Sequence, residues 1–365
     1  MVEIVLVADR NRFVNRSAMS LVELLCIIAI IGILLSLVLP AVQSVRESTR
    51  RSSCSNNLRN LGMAAMNHES AHQRFPPGTL GDKKTFIANL GDLASGVRDP
   101  SSGFYLHNNQ NTSWILHLIP HLEQASLANQ IPSICTDANR SYWEFRNSNP
   151  NAPRTLLDES EVQVAMKRTL PVLLCASDNL LGEQMTEYKG GSQPAFVRDF
   201  DTDAFLYFEY PLISGGTNYA ACSGASSGGY QPHADISRFG GLFRSRTRSK
   251  FSEITDGASN SIALGETLGG IMNRERKMIN PWFFAAMCRG RSDLEWMSNN
   301  SLRTPGLELI GDQWFAFPAG FASKHLKVAN FCFADGSVRA ISRTIELRLF
   351  YSLCGIADSE QSNSE

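Results

Sequence analysis

Residues 17–45 read SAMSLVELLCIIAIIGILLSLVLPAVQSV, and the fold turns on this stretch. Leu24 to Val42 is nearly continuous apolar sequence, broken by Gly32, Ser36 and Pro40. That is close to the ~20 residues a helix needs to cross a bilayer. A helix buried in a soluble core seldom lacks a polar stripe for this length, so the run is read as a membrane span. Glu23 stands at its mouth, and no other charge follows until Arg46. A carboxylate at the edge of hydrocarbon is costly unless it is paired, so its position needs a reason.

The flanks set the orientation. Arg10, Arg12 and Arg16, with Asp9, precede the run and favour a cytoplasmic N-terminus. Arg46, Arg50 and Arg51 follow it and reduce the asymmetry. A secretory signal would carry a small-residue cleavage site after the apolar region. Here the sequence instead continues as a helical pattern through Ser44-Val45-Arg46-Glu47.

Ala18-Met19-Ser20-Leu21-Val22-Glu23 resembles the prepilin cleavage and methylation motif of type IV pilins and type II secretion pseudopilins. In that family a small residue, usually Gly, precedes the cut, the new N-terminus is usually Phe, and the fifth mature residue is Glu. A cut after Ala18 makes Met19 the first mature residue and Glu23 the fifth. Pro40 then falls where pilins often carry a helix-bending proline. Ala18 for Gly and Met19 for Phe are the departures. The resemblance implies cleavage by a prepilin peptidase and N-methylation of Met19. It also implies an assembly role for Glu23, which meets the free N-terminal amine of a neighbouring subunit.

Beyond the span the helix is expected to continue. Cys54, Leu58, Leu61, Ala65, His68 and His72 lie on one helical face. Phe75-Pro76-Pro77-Gly78 stops it. The expected layout is a leader at 1–18, a transmembrane helix at 19–43, an exported domain at 44–356 that includes the helix 44–73, and a disordered tail at 357–365. The fold class is α+β, with the long pilin-like helix against an antiparallel β-sheet that carries loop-rich insertions. Pro171 to Cys175 reads as a buried strand, and His121 to Leu127 as the start of a helix. Phe331 to Ile341 reads as a hairpin turning at Asp335-Gly336.

A second resemblance covers the whole mature chain. Cys54-Ser55-Asn56-Asn57-Leu58, Phe75-Pro76-Pro77-Gly78, Trp114 through Pro120-His121-Leu122-Glu123-Gln124, Leu170 through Cys175-Ala176-Ser177-Asp178, and Ile254 through Glu266 occur in order. His325 and Asp335-Gly336 complete an H-x9-DG motif. The pattern resembles a large bacterial family of unknown function with a prepilin-type N-terminus. His121 replaces the family's Tyr, Ala176 replaces its Pro, and the glycines that usually follow the motif histidine are missing from Leu326-Lys327-Val328. Cys54 and Cys175 each border a family block, which makes them the candidate disulfide pair of an exported domain.

The remaining chemistry is sparse. A net charge of −1 gives no electrostatic case for nucleic acid, and no such partner is expected. Eight cysteines include no C-x-x-C pair, which argues against a zinc or thioredoxin-type motif. His68 and His72 have metal-ligand spacing, but the sequence offers no third ligand, and polar packing near a helix end is the reading adopted. Asp256-Gly257 and Asp335-Gly336 have turn chemistry without a D-x-D-x-D run, so no metal is assigned. His325, Asp335 and Ser337 or Ser223 invite a hydrolase reading, yet no G-x-S-x-G elbow is present. No enzyme activity and no cofactor are expected.

The function expected is a pilin- or pseudopilin-like structural subunit of a bacterial surface fibre or a type II secretion-like assembly. It would sit in the inner membrane as a single-pass protein, with its C-terminal domain periplasmic or at the cell surface. Its partners would be the prepilin peptidase and neighbouring pilin-like subunits. The alternative is a membrane-tethered protein that binds a solute or polysaccharide, suggested by the length of chain beyond the helix.

Overall fold

The structure is a computed structural model. It describes residues 21–78, 80, 112–136, 160–178, 193–198, 205–210, 215–226, 239–244, 248–268, 270–272, 275–278, 280–282, 287–291, 308–310, 313–316, 321–325 and 327–357. The expected leader, the Ala18/Met19 cleavage site and nearly all of the expected tail lie outside the described residues. The chain divides into two compact units, Met1–Thr49 and Arg50–Glu365.

Helix α1 is unbroken from Leu21 to His72 and contains Pro40. In the first unit its side chains are exposed all round, Leu37 at 69% and Ile33 at 63%. This part is long and apolar enough to cross a membrane. In the second unit α1 buries Cys54, Leu58, Leu61, Gly62, Ala64, Ala65 and His68. That stripe follows from the 4, 3, 4, 3 spacing of its small and apolar residues. The helix ends where Gln73 turns left-handed, φ 58°, and its N–H bonds Glu69 O at 2.6 Å.

Short helices follow: α2 (Trp114–Leu118), α3 (Ala125–Ala128) and α4 (Ser160–Met166). Ser113 caps α2, its hydroxyl accepting from Ile115 N at 3.2 Å. The helix expected to open at His121 instead starts at Ala125. A 3-10 turn, Ile119–His121, comes first, and Glu123 takes a left-handed φ of 57° that interrupts any earlier start. Pro171 to Cys175 is not a strand. Pro171, with its fixed φ, opens a 3-10 turn over Pro171–Leu173, closed by Leu173 N to Leu170 O at 2.9 Å.

The strands are β1 (Gln193–Arg198), β2 (Phe205–Tyr210), β3 (Gly216–Thr217), β4 (Tyr219–Ser226), β5 (Ile262–Glu266), β6 (Gly270–Met272), β7 (Glu275–Met278), β8 (Asn280–Pro281), β9 (Met287–Arg291), β10 (Glu308–Ile310), β11 (Gln313–Ala316), β12 (Val328–Phe333) and β13 (Val338–Ser342). Helix α5 (Leu347–Cys354) closes the fold. The central sheet has the order β13-β12-β5-β4-β9. Its pairings are antiparallel, as expected, with one parallel pair added at the edge, β4 with β9. A four-stranded sheet, β10-β11-β6-β7, and the ribbons β1-β2 and β3-β8 complete the described strands. The molecule is α+β.

Register explains how the sheet divides its cores. Cys332, Leu264 and Ala221 align across β12, β5 and β4. They belong to the cluster that holds the α1 stripe, Trp114, Leu173 and Tyr219. The adjacent row, Phe331 and Ala220 flanking Gly265, faces the other way and packs with Phe321, Phe350 and Cys354. The pleat thus puts α1 on one face and α5 on the other.

Candidate functional site

The β12–β13 hairpin turns at Asp335-Gly336, where the Asp335 carboxylate accepts from Ser337 N at 2.8 Å and Gly336 takes φ +80°. A Cβ on Gly336 would lie 2.9 Å from Met66 Sδ of α1, so this glycine serves both the turn and the close approach of the helix. Asp335 is exposed and stays in the turn. The carboxylate that lies against His325 is that of Glu266.

His325 is 1% exposed and lies against Glu266, which ends β5 and is 2% exposed. Their Nε2 and Oε1 are 3.3 Å apart. Burying a carboxylate costs several kcal/mol unless donors replace water. Asn330 of β12 supplies two, from its backbone N to Oε2 at 2.9 Å and from Nδ2 to Oε1 at 2.8 Å. Arg343, just after β13, adds a nearby positive charge. Burial pushes its guanidinium below the usual arginine range, and Glu266 pulls it back. Arg343 also holds the loop that carries the histidine, donating from Nη2 to Ser323 O at 2.6 Å and His325 O at 2.7 Å.

The other side of His325 is sulfur. Its Nε2 lies 3.6 Å from Cys175 Sγ, and Cys175 is joined to Cys54 of α1 by a disulfide with Cα atoms 4.9 Å apart. Further bonds fix both cysteine segments. Asn57 Nδ2 donates to Leu174 O at 2.8 Å, and the Tyr219 hydroxyl donates to Cys54 O at 3.2 Å. Cys175 N donates to Asn218 Oδ1 at 2.9 Å, while Asn218 Nδ2 donates to the buried Asp178 carboxylate.

Ligand atoms of Cys54, Cys175, Glu266 and His325 all lie within 4.8 Å of one another. With the sulfurs bonded to each other neither offers a thiolate, and two ligands remain. In this state the cluster is a buried polar brace. It ties α1, the segment after the Pro171 turn, β4, β5, β12 and the loop before β12 into one network. Of the residues considered for a hydrolase, His325 is paired with Glu266, and the Asp335 carboxylate accepts from Ser337 N.

Residues 43–348 match the family described as "Protein of unknown function (DUF1559)". The chain belongs to that family. No curated protein and no solved structure matches it. For a DUF1559 protein the geometry gives the motif blocks a common role. The cysteine–Asn-Asn-Leu block, the Cys175 block and the histidine of the H-x9-DG motif meet at one buried point. The motif's missing glycines also leave a mark, since Lys327 takes a left-handed φ of 64° two residues after His325.

Glu23 lies in the first turn of α1 and is exposed. The sequence pattern assigns no role to Glu266, Asn330, Asn218 or Arg343. Its one signal is Glu266 itself, a charge closing the buried strand Ile262-Ala263-Leu264-Gly265-Glu266.

A second cluster gathers further imidazoles about the His68–His72 pair. Their rings stack with centroids 4.2 Å apart, and His117 and His121 approach His68 at 5.8 and 5.9 Å. Burial, then repulsion from its histidine neighbours, holds His117 down at about 3. Burial and then His72 hold His68 at about 4, and the same two causes lower His121.

Proposed function

We propose that this DUF1559 protein is a pilin- or pseudopilin-like structural subunit of a bacterial surface fibre or type II secretion-like assembly. Residues 1–18 are its leader, removed by a prepilin peptidase between Ala18 and Met19, and Met19 is then methylated. Residues 19–43 hold it in the inner membrane, and residues 44–356 form the exported domain. What supports this reading is the division of α1. One continuous helix is apolar and exposed all round through Val42, then buries a single stripe in an α+β body. The Ala18–Glu23 motif stands directly before the apolar run that begins at Leu24. In an array of such helices Glu23 meets the Met19 amine of the next subunit. That pair favours one axial register, because burying either charge alone costs several kcal/mol.

The deciding experiment is the N-terminal sequence and mass of the mature protein taken from membranes. A methylated Met19 supports the reading, and an intact Met1 or an N-terminus beyond residue 40 overturns it. Glu23→Ala is expected to leave insertion unchanged and to reduce cross-linked oligomers, with Glu47→Ala as the control. Normal assembly of Glu23→Ala would favour the second reading, a membrane-tethered solute- or polysaccharide-binding protein. The long chain beyond the helix is the observation on that side. Trp282, an aromatic that could line such a site, is buried, its indole N–H donating to Arg168 O at 2.8 Å.

A further inference from the structure

Four of the chain's seven histidines meet at the C-terminal end of α1. His68 and His72 come from the last turns of that helix, His117 from α2 and His121 from the 3-10 turn after it. His68 and His72 have i, i+4 spacing, so α1 presents two imidazoles on one side. We propose that His68, His72, His117 and His121 bind a late first-row divalent transition-metal ion, of the class Cu2+, Ni2+ or Zn2+.

Three observations carry this site. The first is spacing. Metal–nitrogen bonds of about 2.0–2.1 Å place the rings of neighbouring histidine ligands roughly 5 Å apart, centroid to centroid. His72, His117 and His121 lie 4.2, 5.8 and 5.9 Å from His68, so the rings are gathered about His68 and draw together on binding. The second is how the outer nitrogens are used. His68 Nδ1 lies 3.2 Å from Arg74 O, and His72 Nδ1 lies 3.0 Å from His68 O. A carbonyl oxygen can only accept, so both rings carry their proton on Nδ1. The Nε2 lone pairs are then available to a metal, with the outer N–H held by a backbone carbonyl in the manner of metal-binding histidines. The third is His117 Nε2, which is buried and has no hydrogen-bond partner. A buried polar atom left so costs about 1–3 kcal/mol. A metal ion satisfies it.

The donor set points to the metal class. Four neutral imidazoles without a thiolate suit copper, nickel and zinc better than calcium or magnesium. Access is open, because His72 is exposed and His121 is half-buried, whereas His68 is 5% exposed. Loading requires the stacked His68–His72 pair to part, and the exposed His72 ring is the one with room to turn. Arg248 is the neighbouring cation felt by His68 and His117, and it opposes binding without blocking it. The site lies apart from the disulfide-linked brace. It does not depend on whether the protein assembles.

The test uses the full chain in detergent micelles, purified without a polyhistidine tag and with the disulfide intact. Calorimetric titration with Cu2+, Ni2+ and Zn2+ separately is expected to show one equivalent of at least one of them bound at micromolar affinity or tighter. His72→Ala and His121→Tyr are each expected to weaken that binding by at least about tenfold while leaving the metal-free melting temperature unchanged. The second restores the residue type usual in this family's block. Electron paramagnetic resonance of the wild-type Cu2+ complex gives a readout that no variant can confuse, since three or four coordinated nitrogens are expected. Absence of stoichiometric binding of all three metals, survival of binding in a His72→Ala/His121→Tyr double variant, or an oxygen-dominated copper spectrum would each overturn the proposal.

Discussion

Helix α1 puts two physical regimes on one backbone. From Leu21 to Val42 every side chain is exposed and nearly all are apolar, so no face is distinguished from another. From Cys54 to His68 a narrow stripe is buried to a few percent or less, and polar residues such as Asn60 and Asn67 face outward. The hydrogen-bond ladder is the same in both. The first part has the composition of a helix whose solvent is lipid, where apolar surface on all sides carries no penalty. The second is specified by what it touches. Regular secondary structure therefore says little here about what a side chain contributes, and substitutions in the two parts should differ by several kcal/mol.

The largest effect is expected at the disulfide. Cys54 and Cys175 are 121 residues apart, and closing a loop of that size in the unfolded chain is worth about 5 kcal/mol in the chain-entropy account. The Cys54→Ala/Cys175→Ala double variant should lose most of that, read as a lowered denaturation midpoint of the full chain in detergent. A midpoint within error of wild type would mean that the brace around His325 and Glu266 holds without its sulfur link.

Leu61→Ala comes next. Leu61 is 0% exposed, one residue before Gly62, where the helix passes so close to Cys332 of β12 that no Cβ fits without movement. Neighbours pinned this tightly cannot collapse into the space left behind. A loss of about 3–4 kcal/mol is expected, in the upper part of the usual range for leucine truncation. A loss below about 1 kcal/mol would show that α1 is held by the disulfide more than by its stripe.

Much of this architecture is legible in the amino-acid sequence. The stripe, the helix stop at Phe75-Pro76-Pro77-Gly78 and the Asp335-Gly336 hairpin are local patterns, and local patterns are what a sequence displays. The 3-10 turn at Pro171 is not legible as such. Its apolar residues mimic a buried strand, and only the proline hints at a turn. The parallel β4–β9 pairing also escapes, because its strands are joined through a long intervening chain. Neither polar cluster shows in full in the sequence. Glu266 meets His325, and His68 meets His117 and His121, only after distant segments pack. His68 and His72 display half of the imidazole cluster, and the other half lies on a separate helix and the turn after it.

A smaller effect, of opposite sign, is expected in the motif loop. Lys327 holds a left-handed φ of 64° where a glycine would be unstrained. Lys327→Gly should relieve roughly 1 kcal/mol of backbone strain and return part of it as unfolded-state entropy, for a net gain near ~0.5 kcal/mol. Its measure is a small rise in the denaturation midpoint. A fall would mean that the lysine side chain contributes more than its backbone costs.

The smallest effect is expected for Leu35→Ala. By residue type this matches Leu61→Ala, and by helical position it is equivalent, since both lie well inside α1. Leu35 is 52% exposed, however, and belongs to the first compact unit. Truncation opens no cavity in the second unit, so the cavity term that dominates at Leu61 vanishes. What remains is a slight propensity gain, since alanine is the better helix former by a few tenths of a kcal/mol. The denaturation midpoint of the domain should stay within error of wild type, and a shorter apolar side chain should reduce only the apolar surface offered to lipid. The comparison breaks if Leu35→Ala lowers the midpoint by as much as Leu61→Ala. That result would place Leu35 in a protein core, and the all-round apolar surface of α1 would then be a packing surface rather than a membrane span.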